Sequence, residues 1–251
     1  MTALNRLLHF VVFTLIEYAR SGRILVEILA TMVFFYIFLW RWTARPDYFF
    51  STVGLFTLVL TFSTIAAMQN LGDRPQGYLI LMRQIGRGTY LMGLYLAALV
   101  VVLAIYLLVS LGAILLQRIV GMDAQIWLLG SLPLLLNVAL LGSLLMLLAP
   151  MVLTASWRLA VLALFAIAFS GNLLSGPVMA RLGPIARALE VLRTIFSTPL
   201  LPPFTAFELS RTQNYSGINA IIPIAQLSLT LGLLALAVFS FSRRELIFST
   251  S

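Results

Sequence analysis

The chain has no cysteine, no lysine and a single histidine, and only 10% of its 251 residues are charged. Without cysteine there are no disulfides, thiolate metal sites or cysteine nucleophiles, and the fold does not depend on an oxidising compartment. Without lysine the chain cannot supply the residue that reaches the β- and γ-phosphates in a GxxxxGK[ST] loop, and no such loop is present. No apolar stretch pairs two carboxylates, so a metal site, an aspartyl dyad or a proton relay lacks its parts. His9 falls on the polar face of an amphipathic stretch and reads as solvated. The chain is therefore expected to do no covalent chemistry and to hold no cofactor or metal of its own.

What the sequence does have is apolar length. Hydrophobic residues make up 61% of it, and the mean hydropathy is +1.05. A soluble domain is roughly 25% charged, and a chain this apolar cannot cover itself in water. Inside a bilayer every backbone N–H and C=O must be paired internally, which leaves helices or closed barrels. The runs here are unbroken and near twenty residues long, so the expected fold class is all-α: a polytopic integral membrane protein in one domain. Six spans are expected at about 24–40, 49–69, 89–116, 126–153, 159–175 and 222–241.

Residues 4–20 precede them. Leu4, Leu7, Leu8, Val11, Val12, Leu15 and Ile16 recur at helical spacing, while Arg6, His9, Glu17 and Arg20 share the other face. That pattern describes an interfacial helix; the start of a long tilted span is the alternative. A cleavable signal is not expected, since charges interrupt the apolar stretch and no small-residue site follows it. All sixteen basic residues are arginine, and more of them fall on the side of the N-terminus than in the short loops opposite. Both termini are accordingly expected to be cytoplasmic in the cell membrane. The net charge of +8 then reflects loops facing anionic headgroups, and nucleic acid is not an expected partner.

Polar residues inside spans are candidates by default. Glu27 lies four residues after Arg23 and reads as an i, i+4 pair at headgroup level, or as a buried contact with the neighbouring loop. Asn137 and Gln226 read as interhelical hydrogen-bonding residues ahead of pathway residues. Asn172 sits at the end of the fifth span, where it could line an exit. Pro133 and Pro150 are expected to kink the fourth span, and Ser156–Arg158 to form a tight turn. The segment 176–221 is expected to hold interfacial or re-entrant helices, with Pro199, Pro202 and Pro203 breaking the chain.

The stretch 70–88, NLGDRPQGYLILMRQIGRG, reads either as a solvated turn with positive-inside arginines or as a short helix from Gln76 to Arg87, broken at Gly86-Arg87-Gly88, that docks a cytoplasmic partner. Its continuation RQIGRGTYLMGLYLA resembles the segment after the second span in permease subunits of type-2 ABC transporters: a basic residue, a break, then Tyr90 and Gly93 in a Tyr–(two residues)–Gly pattern. The interfacial helix, the long segment before the last span and the FSRREL ending are similar to the same family. The resemblance implies a permease, an exporter by preference, that pairs with a second copy or a paralogue in the bilayer. A separate cytoplasmic ATP-binding subunit would carry ATP and magnesium. It implies a coupling helix at the 70–88 loop, which assigns Gly77, Tyr78, Leu79, Met82, Arg83, Gln84 and Arg87 to the ATPase contact, with Glu17, Tyr18 and Arg20 of the interfacial helix beside it. A non-transporting scaffold subunit of a larger membrane complex is the alternative.

Overall fold

A computed structural model of the chain describes residues 3–41, 43–72, 86–169, 191 and 201–243. Its elements are α1 (Ala3–Arg20), α2 (Arg23–Phe35) ending in a π turn (Tyr36–Trp40), α3 (Pro46–Gly72), α4 (Arg87–Leu115), α5 (Ala124–Leu147), α6 (Ala155–Phe169), α7 (Leu201–Thr212) and α8 (Ile222–Arg243), the last preceded by a 3-10 turn (Gly217–Ile221). No strand occurs among the described residues. Among the described residues five helical segments are long and apolar enough to cross a membrane: Arg23–Trp40, Pro46–Gly72, Arg87–Leu115, Ala124–Leu147 and Gly217–Arg243. The expected fifth span begins as α6; residues 170–175 lie outside the described residues, as do Gly77, Tyr78, Leu79, Met82, Arg83, Gln84 and Asn172.

Local chemistry sets the helix ends. Gly22, with φ +74°, breaks the chain between α1 and α2, so residues 4–20 form a separate helix and not the start of a tilted span. Pro46 opens α3, where its missing N–H costs nothing, and Asp47 complements the helix dipole beside it. Asp123 caps α5 by accepting from the Ile126 amide at 2.7 Å.

Several expected boundaries move. The helix of the fourth span stops at Leu147, because Pro150 cannot continue it; Pro150 sits in the following turn and kinks nothing, whereas Pro133 does lie inside α5. Ser156–Arg158 form the first turn of α6, not a tight turn; the turn is upstream. Pro202 and Pro203 start α7 and do not break the chain there, since the first turn of a helix tolerates proline. Asn70 to Gly72 belong to α3 and Arg87 to α4, which narrows the polar connection to 73–86.

The core forms where α3, α4, α5 and α8 pack, with α7 wedged among α3, α5 and α8, and α1 laid along α4. Gly130 lets α5 approach α3 closely: a Cβ there would stand 2.3 Å from the Phe50 ring. Leu25, Leu29, Leu55, Phe62, Leu108 and Leu231 face outward, which suits a lipid environment. The chain around Ala44 and the connection 116–120 meet at the end of the bundle where α3 begins and α4 ends. There the Ala44 amide donates to the Arg118 carbonyl at 2.8 Å and the Val120 amide to the Ala44 carbonyl at 3.0 Å. The Arg118 guanidinium lies over the Trp40 ring, 4.5 Å from its centroid.

Candidate functional site

Where α3 ends and α4 begins, at the mouth of the 73–85 segment, side chains tie several helix ends together. The Tyr90 hydroxyl donates to the Gly72 carbonyl at 2.6 Å, which joins the last residue of α3 to the first turn of α4. Gln69 Nε2 donates to the Leu145 carbonyl at 2.8 Å near the end of α5. Arg87 Nη1 donates to the Ser242 carbonyl at 3.0 Å at the end of α8. The last carbonyls of a helix have no intrahelical partner, and a basic side chain there also meets the negative end of the dipole. Side chains from α3 and α4 thus fasten four helix ends together.

α1 joins this mouth through one ring. Phe10 is buried, with its centroid 5.0 Å from that of Tyr90. It occupies a notch made by Gly93: a Cβ there would come 2.2 Å from Phe10 Cδ1. The Tyr–(two residues)–Gly pattern therefore has two physical parts, a hydroxyl that closes the mouth and an absent side chain that seats α1. The packed stripe of α1 is Phe10, Val11, Thr14 and Tyr18. Leu4, Leu8, Val12 and Ile16 remain outward-facing on an adjoining sector. Sequence periodicity gave α1 two faces and missed this third one.

Two turns further along α1, Tyr18 reaches the only buried carboxyl among the described residues. Glu27 of α2 is 7% exposed, and the Thr64 hydroxyl of α3 sits 2.6 Å from its Oε1. The Tyr18 hydroxyl, on a side chain 1% exposed, lies within electrostatic reach of the same carboxyl but not in hydrogen-bond alignment, and Oε2 has no other partner. Burial, foremost, pushes the Tyr18 phenol well above its ordinary value, so it remains a donor. The expected Arg23–Glu27 pair does not form: Arg23 Nη1 turns to the Ala67 carbonyl at 3.0 Å instead. A neutral helix carbonyl takes the cation, and α2 is fixed to α3 by both residues separately. Glu17 is half-buried and Arg20 exposed.

A second polar junction lies deeper in the bundle. Gln226 Nε2 donates to Asn137 Oδ1 at 2.7 Å and to the Pro133 carbonyl at 3.1 Å, and Asn137 Nδ2 donates to the Pro203 carbonyl at 2.9 Å. Pro133 has no N–H for the Leu129 carbonyl four residues back, and the Tyr215 hydroxyl donates to that carbonyl. Ser210 donates to the Gly130 carbonyl at 2.6 Å. The irregular turn of α5 is thereby satisfied from α7, α8 and the link between them. Burial raises the Tyr215 phenol, which keeps its proton available for this bond.

Sequence reasoning found Glu27, Asn137 and Gln226 as polar residues in apolar helices. It missed Thr64, Gln69, Phe10, Ser210 and Tyr215. Thr57, Thr61 and Thr64 form a buried stripe at helical spacing, a usable signal for the Glu27 contact. Donors to backbone carbonyls carry no such signal. No group of three or more metal-ligating side chains occurs among the described residues. Compared with known protein families, curated proteins and solved structures, the chain has no match.

Proposed function

We propose that the chain is the membrane-spanning permease subunit of an ATP-driven exporter of the type-2 ABC kind, with the 73–85 segment as the contact for a cytoplasmic ATP-binding subunit. The observation that carries this reading is the fastened mouth of that segment. A segment that merely turns the chain needs no ties to two other helix ends, but a segment that receives a push must pass it on. A displacement of residues 73–85 would reach α3 and α4 together through Tyr90 and Gly72, and α1 through Phe10. In this reading Gly77, Tyr78, Leu79, Met82, Arg83 and Gln84 meet the ATPase, while Arg87 holds the base of the segment against α8. ATP and magnesium belong to the partner, because a chain without lysine cannot complete a phosphate loop.

The remainder of the architecture follows from the same reading. α6 continues into a further span, giving six, both termini are cytoplasmic in the cell membrane, and a second copy or paralogue completes the pathway. The test is purification of tagged chain in mild detergent, with mass spectrometry of co-eluting proteins and an ATPase assay. A co-eluting phosphate-loop protein whose activity falls on Arg83→Glu supports the proposal. Recovery with membrane proteins alone, and no ATPase, replaces it with the scaffold reading.

A further inference from the structure

The Thr64 hydroxyl has one hydrogen and two acceptors in range. Glu27 Oε1 is 2.6 Å away and the Leu60 carbonyl 2.8 Å. A carboxylate would claim that hydrogen and leave its own negative charge buried between α1, α2 and α3. The charged and titratable groups around it are few. On α1 they are Tyr18, which stays protonated, together with Glu17 and Arg20 beyond it. On α2 there is Arg23, which donates to the Ala67 carbonyl. On α3 the only charged residue is Asp47, at the opposite end of the helix. Among the described residues no cation meets the carboxyl within ion-pair distance. An ionised carboxylate so placed is poorly compensated, whereas a neutral acid is not.

We propose that Glu27 is a proton-binding site: it is carried as a carboxylic acid that donates to Thr64 Oγ1, and this neutral acid seats α1 on the bundle. The hydrogen count then closes. The Glu27 O–H donates to Thr64 Oγ1, the Thr64 O–H donates to the Leu60 carbonyl, and the carbonyl oxygen of the acid is left for the Tyr18 O–H. α2 and α3 share one donor chain with no unpaired charge in it, and the buried Tyr18 hydroxyl of α1 lies within electrostatic reach of its free end. The inference needs no ATPase partner and stands apart from the transporter reading.

The experiment is infrared spectroscopy of the purified full-length chain in phospholipid vesicles at neutral pH. The expected result is a protonated-carboxyl C=O band that is absent in Glu27→Gln and moves to higher frequency in Thr64→Val, where the acid loses its acceptor. The second variant decides the matter if Glu27→Gln does not fold. Absence of the band in the wild-type chain, or a band that neither variant changes, overturns the proposal. Seating is read from spin labels at Ile16→Cys and Phe62→Cys, both outward-facing positions in a chain with no other cysteine. Glu27→Gln, which keeps a neutral donor and acceptor, is expected to preserve the distance, and Glu27→Ala to broaden and lengthen it. If Glu27→Gln displaces α1 as much as Glu27→Ala does, the charge is what matters and the neutral-acid site is wrong.

Discussion

Asn137 and Gln226 hold α5, α7 and α8 together through neutral amides, whereas α1 is held to the bundle by a ring in a notch and a carboxyl between two hydroxyls. The amide junction is aimed largely at backbone carbonyls, at a place where proline has already disturbed the helix. Its partners have fixed protonation. The α1 attachment depends on shape at Phe10 and on a group that can gain or lose a proton at Glu27. The first is built to stay as it is. The second can be altered by a push on Phe10 or by a change at one carboxyl, and it lies beside the segment proposed to receive a partner.

The largest expected effect tests the shape half of this contrast. Gly93→Leu places atoms where the Phe10 ring now lies, and overpacking of this kind costs about 1–3 kcal/mol. Thr14→Cys, buried in the wild-type seating of α1, should become reactive to a membrane-permeant thiol reagent in that background, while Ser210→Cys on α7 should stay protected. If both sites open together, the two regions are one cooperative unit and the contrast fails.

Next in size is Gln226→Leu, which strands the Asn137 Oδ1 acceptor. Leaving buried groups unsatisfied costs about 1–3 kcal/mol. Thermal unfolding in detergent should show that Asn137→Leu adds much less on top of Gln226→Leu than it costs alone, because the two residues are in contact. Full additivity would mean that the amides act separately. Tyr90→Phe removes one hydrogen bond across the mouth of the 73–85 segment, and should cost about 1 kcal/mol. Its sharper signature is functional: in complex with the proposed ATPase, transport per ATP hydrolysed should fall while ATP affinity is unchanged. The smallest effect is expected at Thr57→Val. Thr57 donates only to Val53 of its own helix, and a back-bond of this kind does little for stability. A shift under about 0.5 kcal/mol is expected, against a larger one for Thr64→Val, whose hydroxyl also reaches Glu27.

Apolar run length and arginine punctuation made the helices readable, because a span must be long, unbroken and flanked by groups that prefer the interface. Glu27, Asn137 and Gln226 were readable as well, since polar atoms among leucines need partners. The identity of the partners was not. Arg23 lies one turn from Glu27 in sequence yet bonds a carbonyl of α3, which only the packing of the two helices decides. Pro150 and Pro202 look alike on paper. One ends a helix and the other begins one, because the same missing N–H is costly in a helix interior and free in a first turn. Gly93 reads as a small residue in a span; that it is a notch for Phe10 follows only once α1 lies along α4.

The stitch between Ala44 and Ile119 has a consequence for the order in which the protein matures during synthesis. Its two hydrogen bonds join connections separated by more than seventy residues, so the turn between α2 and α3 emerges from the ribosome before its partner strand of backbone exists. Until α4 has been made and inserted, the Ala44 amide and carbonyl must be satisfied by water or headgroups, and Trp40 waits without the Arg118 guanidinium over its ring. The first helical hairpin is therefore complete in length well before it is complete in structure, and a chain truncated after α3 should remain more accessible at Ala44 than one that extends past Val120.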